Sequence, residues 1–261
     1  MTAVLLDPPF EAAALAEAST DTLKASLLTQ VQGRESDPMS KKVRFANDNL
    51  IPLFDELEQR NPTPDLTAQI PLLQGIWLPL WSTIPFQDIL PGRVHHESYQ
   101  IFDDSGYYAN LARYKPGHKA PLLSWLSRWL ISYDLLIMQS YGVTTQPGDP
   151  DSDSPPEQAY WDIQNVCIRQ SLRVGSRTFS PQNAQAWFDQ ALSRYQKTGD
   201  DPSQAAALAG GTRIAPKQYE QIAKAKPKLE HLYIDAEFRL VKTQRDKSQR
   251  PSYTVAVRSL A

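Results

Sequence analysis

Along the first sixty residues, apolar positions recur at helical spacing. Leu23, Leu27, Leu28 and Val31 form one stripe behind Ser19 and Thr20, either of which can cap a helix that runs to about Gln32 and ends at Gly33. A second helix is expected from about Lys41 to Arg60, with Val43, Leu50, Phe54 and Leu57 on its stripe and Ile51 and Leu53 widening it. Pro52 falls inside that span and predicts a kink or a fresh start. The run Asn61-Pro62-Thr63-Pro64 stops the helix.

Beyond Pro71 the period changes from 3.6 to 2. Residues 76–83 place Trp77, Pro79 and Trp81 on one face, and the proline marks an edge or a bulge. Residues 97–103 and 106–115 read as two strands joined at Asp103-Asp104-Ser105-Gly106, a hairpin signal. Residues 160–174 form a long strand candidate. Residues 229–243 form another, with Leu232, Ile234, Ala236, Phe238 and Leu240 in register. Residues 252–258 close the series and are expected to pair with 229–243 as a hairpin across the turn at 244–251. A short helix is inserted at 180–197, capped by Ser180 with Pro181 at its first position. The acidic, proline-rich stretch 147–157 reads as a mobile loop and 198–212 as an Ala/Gly-rich linker. No tandem repeat is visible.

The pattern predicts a mainly β chain: two N-terminal helices, then an antiparallel meander closing into a barrel, because closure removes exposed strand edges. Residues 1–64 form the helical region packed on the barrel, and 65–261 the barrel with its insertions, together one domain.

Composition narrows the function. Across 261 residues, 41% are hydrophobic and 21% charged, as in a folded globular chain. The 21 prolines limit long helix. A net charge of −2 offers no footprint for a polyanion, which argues against a nucleic-acid partner. Residues 213–258 nevertheless carry 11 Lys/Arg against 5 Asp/Glu, which is either a solvated face or a contact for anionic lipid or an acidic protein. Cys167 is the single cysteine, so neither an internal disulfide nor a cysteine-rich zinc site can form; it reads as buried core in a reducing compartment. The first eighteen residues have no basic or apolar signal region and are not the Arg/Ser-rich pattern of a transit peptide.

Catalytic machinery is not evident. His95 and His96 are neighbours and would point to opposite faces of a strand, while His118 and His231 stand alone. Phosphate-cradling glycine loops and helical His pairs are lacking, and Asp103-Asp104 is a turn rather than a metal site. No cofactor and no metal are expected.

The segments at both ends resemble one family. Asn61-Pro62-Thr63-Pro64, Leu73-Gln74-Gly75-Ile76-Trp77 and Trp81-Ser82-Thr83 are similar to the opening signature of the plastid-lipid-associated protein, or fibrillin, family. The stretch from Tyr233 through Asp235, Arg239 and Leu240 resembles its late strand, and the last strand is similar too. Trp81 stands where the family has a tyrosine, and Pro79 interrupts the first strand. The resemblance implies a lipocalin-like barrel, peripheral association with the thylakoid membrane from the cytoplasmic side, and handling of a lipid or isoprenoid such as a quinone or carotenoid. Without a transit pattern, the cyanobacterial type fits.

On that reading the barrel-lining candidates are Trp77, Trp81, Tyr108, Trp161, Asp235 and Arg239. Core is the competing reading for Trp77. Asp235 and Arg239, about 13 Å apart if both sit in one strand, share either a solvent face or a polar interior ring with His231, Tyr233 and Glu237. The membrane-contact candidates are Leu122, Trp125, Leu126 and Trp129 in the segment 118–138, whose indoles suit a headgroup zone; a barrel strand or a packed helix is the alternative for that segment. Besides carriage of a small apolar ligand, two functions remain: a scaffold or assembly factor docking a protein partner, and a bilin-binding phycobiliprotein lyase, which shares the fold and wants an acid and an arginine inside the barrel.

Overall fold

The computed structural model describes residues 5–84, 93–115, 131–147, 157–174, 178–199, 228–244 and 249–259. Six α-helices are present among them: α1 (Ala12–Glu17), α2 (Thr20–Val31), α3 (Met39–Phe45), α4 (Ile51–Gln59), α5 (Leu66–Leu73) and α6 (Pro181–Thr198). Eight strands follow or interleave with them: β1 (Gly75–Ser82), β2 (Arg93–Phe102), β3 (Tyr107–Tyr114), β4 (Ile131–Pro147), β5 (Glu157–Val174), β6 (Lys228–Ile234), β7 (Phe238–Gln244) and β8 (Ser252–Arg258). All eight join one sheet in the order β5-β4-β3-β2-β1-β8-β7-β6, and every pairing is antiparallel.

The sheet curls as a half-barrel. The two edge strands, β5 and β6, approach one another, and the Trp161 and His231 rings lie 5.7 Å apart between them. No ladder joins β5 to β6 among the described residues.

Side-chain alternation assigns the faces. On the convex side, α1, α2 and α4 cover β6, β7 and β8, with Leu23, Leu27, Leu53, Phe54 and Leu57 packed against Leu232, Phe238, Leu240 and Val255. Helix α6 covers the other half, packing Phe188, Ala191 and Leu192 against Ile101, Leu111, Leu136 and Met138. Ser180 caps α6 by accepting from the amide of Asn183, as its sequence predicts. The third cluster, on the concave side, draws residues from β1 to β6.

The predicted helices are present with two differences. The 41–60 span is divided: a π-helical turn at Ala46–Leu50 lies between α3 and α4, so Pro52 sits in the first turn of α4, where its missing N–H costs no bond. Helices α1 and α5 were not foreseen. Arg60 satisfies the C-terminal end of α1 by donating to the carbonyls of Leu15 and Ala18. Helix α5 is capped by Asp65, which accepts from the amide of Ala68.

The strand expectations hold for 97–103, 106–115, 160–174 and 252–258. Two others are corrected. First, 229–243 is not one strand but the hairpin β6–β7. Asp235 Oδ1 accepts from the amides of Glu237 and Phe238 and closes the turn. Second, Trp77, Pro79 and Trp81 do not share a face. The pairing of β1 with β8 shifts register between Pro79 and Trp81, which turns Trp81 under the N-terminal helices. The barrel-strand alternative for the segment 118–138 holds for its last part: residues 131–138 belong to β4, which pairs along its length with β5. The loops expected at 147–157 and 198–212 lie largely outside the described residues.

Candidate functional site on the concave face

The site is built at the junction of α5 and β1. Gly75 makes the turn between them at φ +103°, and a Cβ there would stand 3.0 Å from Arg258 Nη1. Arg258 donates to the carbonyls of Leu72, Gln74 and Ala236, which ties the end of α5 to the β6–β7 turn. Trp77, fully buried, points into the concavity and donates its indole N–H to the carbonyl of Leu73 at 2.7 Å.

Around Trp77 the strands bring a wall of rings. Phe102 and Tyr108 stack at 4.7 Å, Tyr141 stands edge-on to both, and Trp161 lies 6.0 Å from Tyr141. The Tyr141 hydroxyl donates to the carbonyl of Asp103 at 2.9 Å. Burial pushes Tyr141 up to about 12 and holds Tyr108 higher still, so both hydroxyls stay protonated at neutral pH.

A polar row crosses this apolar wall. Arg239, from β7, is 1% exposed, and its Nη2 donates to Gln100 Oε1 at 2.7 Å. Gln100 in turn donates to Asn110 Oδ1, and Asn110 to Gln139 Oε1, at 2.9 and 3.1 Å. The Arg239 guanidinium lies 4.8 Å from the centres of both the Trp77 and Phe102 rings. Its Nε and Nη1 have no hydrogen-bond partner among the described residues, and no carboxylate pairs with it there. Burial, aggravated by Arg258 and eased by Tyr108, pushes Arg239 down to about 9, so the charge persists at neutral pH. An unpaired charge in such a place is costly to the fold.

His231, on β6, is also buried here. Gln69 fixes its tautomer: the Gln69 amide nitrogen donates to the carbonyl of Thr63, so Gln69 Oε1 faces His231 Nδ1 at 2.9 Å and Nδ1 carries the proton. Burial first, and the Arg239 charge second, hold His231 well below its ordinary 6.5, so the ring is neutral. Nε2 is then a bare acceptor, and it has no partner among the described residues; the Trp161 indole N–H lacks one likewise.

Of the residues singled out by sequence, Trp77, Tyr108, Trp161 and Arg239 converge on this face. Two do not. Trp81 lies in the helix-covered cluster because of the β1 register shift. Asp235 is a turn residue, bound to Lys24, Tyr233 and two backbone amides rather than lining the interior; the acid-plus-arginine pair wanted for a bilin lyase is therefore not formed by Asp235 and Arg239. Leu122, Trp125, Leu126 and Trp129 lie outside the described residues. Sequence reasoning missed Gln69, Gln100, Phe102, Asn110 and Tyr141 as parts of the site, and named His231 as a member of a possible polar interior ring with Arg239. The period-2 pattern of the 97–103 strand, with Gln100 and Phe102 on one face, was the available signal.

Among the described residues no group of three His, Cys, Asp or Glu could hold a metal ion, and no helix is long and apolar enough to cross a membrane. Comparison with protein-family models gave no match. Comparisons with curated proteins and with solved structures gave none either.

Proposed function

We propose that the chain is a non-enzymatic carrier that closes as a lipocalin-like barrel of the fibrillin type and holds an apolar lipid or isoprenoid beside the thylakoid membrane, on its cytoplasmic side. One observation carries this reading. The concave face is walled by aromatic rings, yet it contains buried polar atoms with no protein partner among the described residues: Arg239 Nε and Nη1, His231 Nε2 and the Trp161 indole N–H. Folded interiors rarely leave such groups unsatisfied. Ligand sites, by contrast, combine apolar walls with a few polar groups that orient the guest. The resemblance of the segments around Asn61 and Tyr233 to the fibrillin signatures supplies the lipid, quinone or carotenoid class and the membrane setting.

A second reading has its own support. Phe102, Tyr108, Tyr141 and Trp161 pack on one another with ring centres 4.7–6.0 Å apart, as a filled core would. On that reading the fold is a docking platform for an enzyme or photosynthetic complex.

Native mass spectrometry of gently purified protein, followed by solvent extraction, separates the two. A stoichiometric lipid, quinone or pigment is the expected result for a carrier. A bare chain accompanied by a stable polypeptide would transfer the function to the scaffold.

A further inference from the structure

We propose that Arg239 is the receptor for the carboxylate of an amphiphilic guest, so that the ligand is a long-chain carboxylic acid rather than a neutral lipid. The inference rests on the carrier reading above and narrows its ligand.

Three observations lead to it. The guanidinium is buried and carries one bond, to Gln100, with Nε and Nη1 left over among the described residues. A carboxylate on either edge of the guanidinium would supply the missing negative charge and an acceptor for one of the two leftover donors, since Nε and Nη1 lie on different edges that share Nη2. The number of free cations limits the charge of the guest. Arg258, the other arginine over Trp77 at 4.3 Å, gives Nε, Nη1 and Nη2 to backbone carbonyls. Of the two arginines over Trp77 among the described residues, Arg239 is the uncommitted one, which calls for a monoanion. The ring centres of Trp77 and Phe102 both lie 4.8 Å from the guanidinium carbon. With rings that close, acceptors approach best along the guanidinium edge. A flat carboxylate fits such an edge, whereas a tetrahedral sulfonate or phosphate directs a third oxygen at the aromatic wall.

The wall itself selects the remainder of the molecule. Phe102, Tyr108, Tyr141, Trp161 and Ile163 offer apolar surface next to the charge. Gln100, Asn110 and Gln139 form a bonded row whose direction is fixed by the arginine at its end, so Gln100 presents its oxygen to Arg239 and holds the guanidinium in place.

The test is isothermal titration of delipidated full-length protein with palmitate, 1-hexadecanol and hexadecane-1-sulfonate, which share one chain length and differ in the head. Palmitate is expected to bind about ten- to a hundredfold more tightly than hexadecanol, the range for a charge-assisted hydrogen bond to a buried ion. Arg239→Gln is expected to abolish the preference for palmitate over hexadecanol. Should that variant fail to fold, the comparison of the three ligands on the unaltered chain decides by itself. Equal affinity for palmitate and hexadecanol would overturn the carboxylate receptor and leave carriage standing. Sulfonate binding as tight as palmitate would overturn the choice of carboxylate, and binding of none of the three would overturn both the receptor and the carrier reading.

Discussion

Lys24 and Asp235 stand 211 positions apart in the chain and meet at 2.8 Å, Nζ to Oδ2. This contact pins α2 to the β6–β7 turn. The same carboxylate accepts from the Tyr233 hydroxyl and from the amides of Glu237 and Phe238, so one side chain closes the turn and receives the helix. Burial opposes ionisation of Asp235, but the bonds from Lys24, the two amides and Tyr233 outweigh it and lower its pKa below 3.8.

Asp235→Asn should therefore be less stable by about 1.5–3 kcal/mol at neutral pH, the range for hydrogen bonds to a charged group. The sign of the pH effect follows from the lowered pKa. The stabilisation is present above about 3.8, the unfolded value, and is lost as pH falls through the folded value. Urea unfolding of both chains from about pH 6 to about pH 3 should show the two curves converging in acid. Curves that stay parallel would mean that the carboxylate charge has no such role.

His231 gives a second pH signature of the opposite chemical type. Its folded pKa is depressed by burial and then by Arg239, so the folded chain keeps it neutral while the unfolded chain takes up a proton near 6.5. Stability from this site is complete above about 6.5 and declines as pH falls below it, by up to about 1.4 kcal/mol per pH unit. His231→Gln retains a donor for Gln69 without titrating. Between about pH 7 and about pH 5 its urea midpoint should fall less than that of the parent chain. Comparing the two cancels the contributions that both chains share.

Much of the framework is local and was legible in the sequence. The alternation in 97–103, 160–174 and 252–258 and the Asp-Asp-Ser-Gly turn predict their strands without help from distant residues. The misassigned faces have one cause: a pattern of period 2 records local alternation and not register. A shift between Pro79 and Trp81 reverses the face of everything beyond it, and a second between His231 and Tyr233 does the same in β6. The β6–β7 turn has no glycine or proline at 235–237; the side chain of Asp235 and a backbone bond from its amide to the carbonyl of Phe238 close it, and only the fold shows that they do. Arg239 was visible as a candidate, but its burial depends on the curl of a sheet in which its strand lies between 228–234 and 252–258.

The convex side contains a buried ionic network that should be sensitive to a single change. Arg113 donates from Nε to Asp134 at 2.7 Å and from Nη1 to Glu97 at 2.9 Å, beneath the segment that leads into α6. Glu97 also accepts from the amide of Phe179. Arg113→Met strands two buried carboxylates and should cost about 3 kcal/mol, the low end of the range for breaking a buried pair, because Arg173 and Lys115 remain beside Asp134 and Glu97. Adding Asp134→Leu to that variant should recover part of the loss in thermal unfolding. If the double variant is worse by the full sum of the two single changes, the two side chains are not coupled.

Asn61 links the two segments on which the family resemblance rests. The register shift in β6 leaves the carbonyl of His231 and the amide of Ile234 for the Asn61 side chain, which donates to the first at 3.2 Å and accepts from the second at 3.3 Å. Its Oδ1 also accepts from the amide of Thr63, two residues on, which shapes the turn before α5. Asn61→Ala removes all three bonds and should lower stability by about 1–3 kcal/mol. Asn61→Asp keeps the acceptor and loses only the donor to His231, so its loss should be the smaller. Amide hydrogen exchange at Ile234 discriminates between a local and a general effect: in Asn61→Ala that amide should lose protection more than its neighbours Tyr233 and Arg239, whereas uniform loss across β6 and β7 would mean that the side chain acts only through global stability.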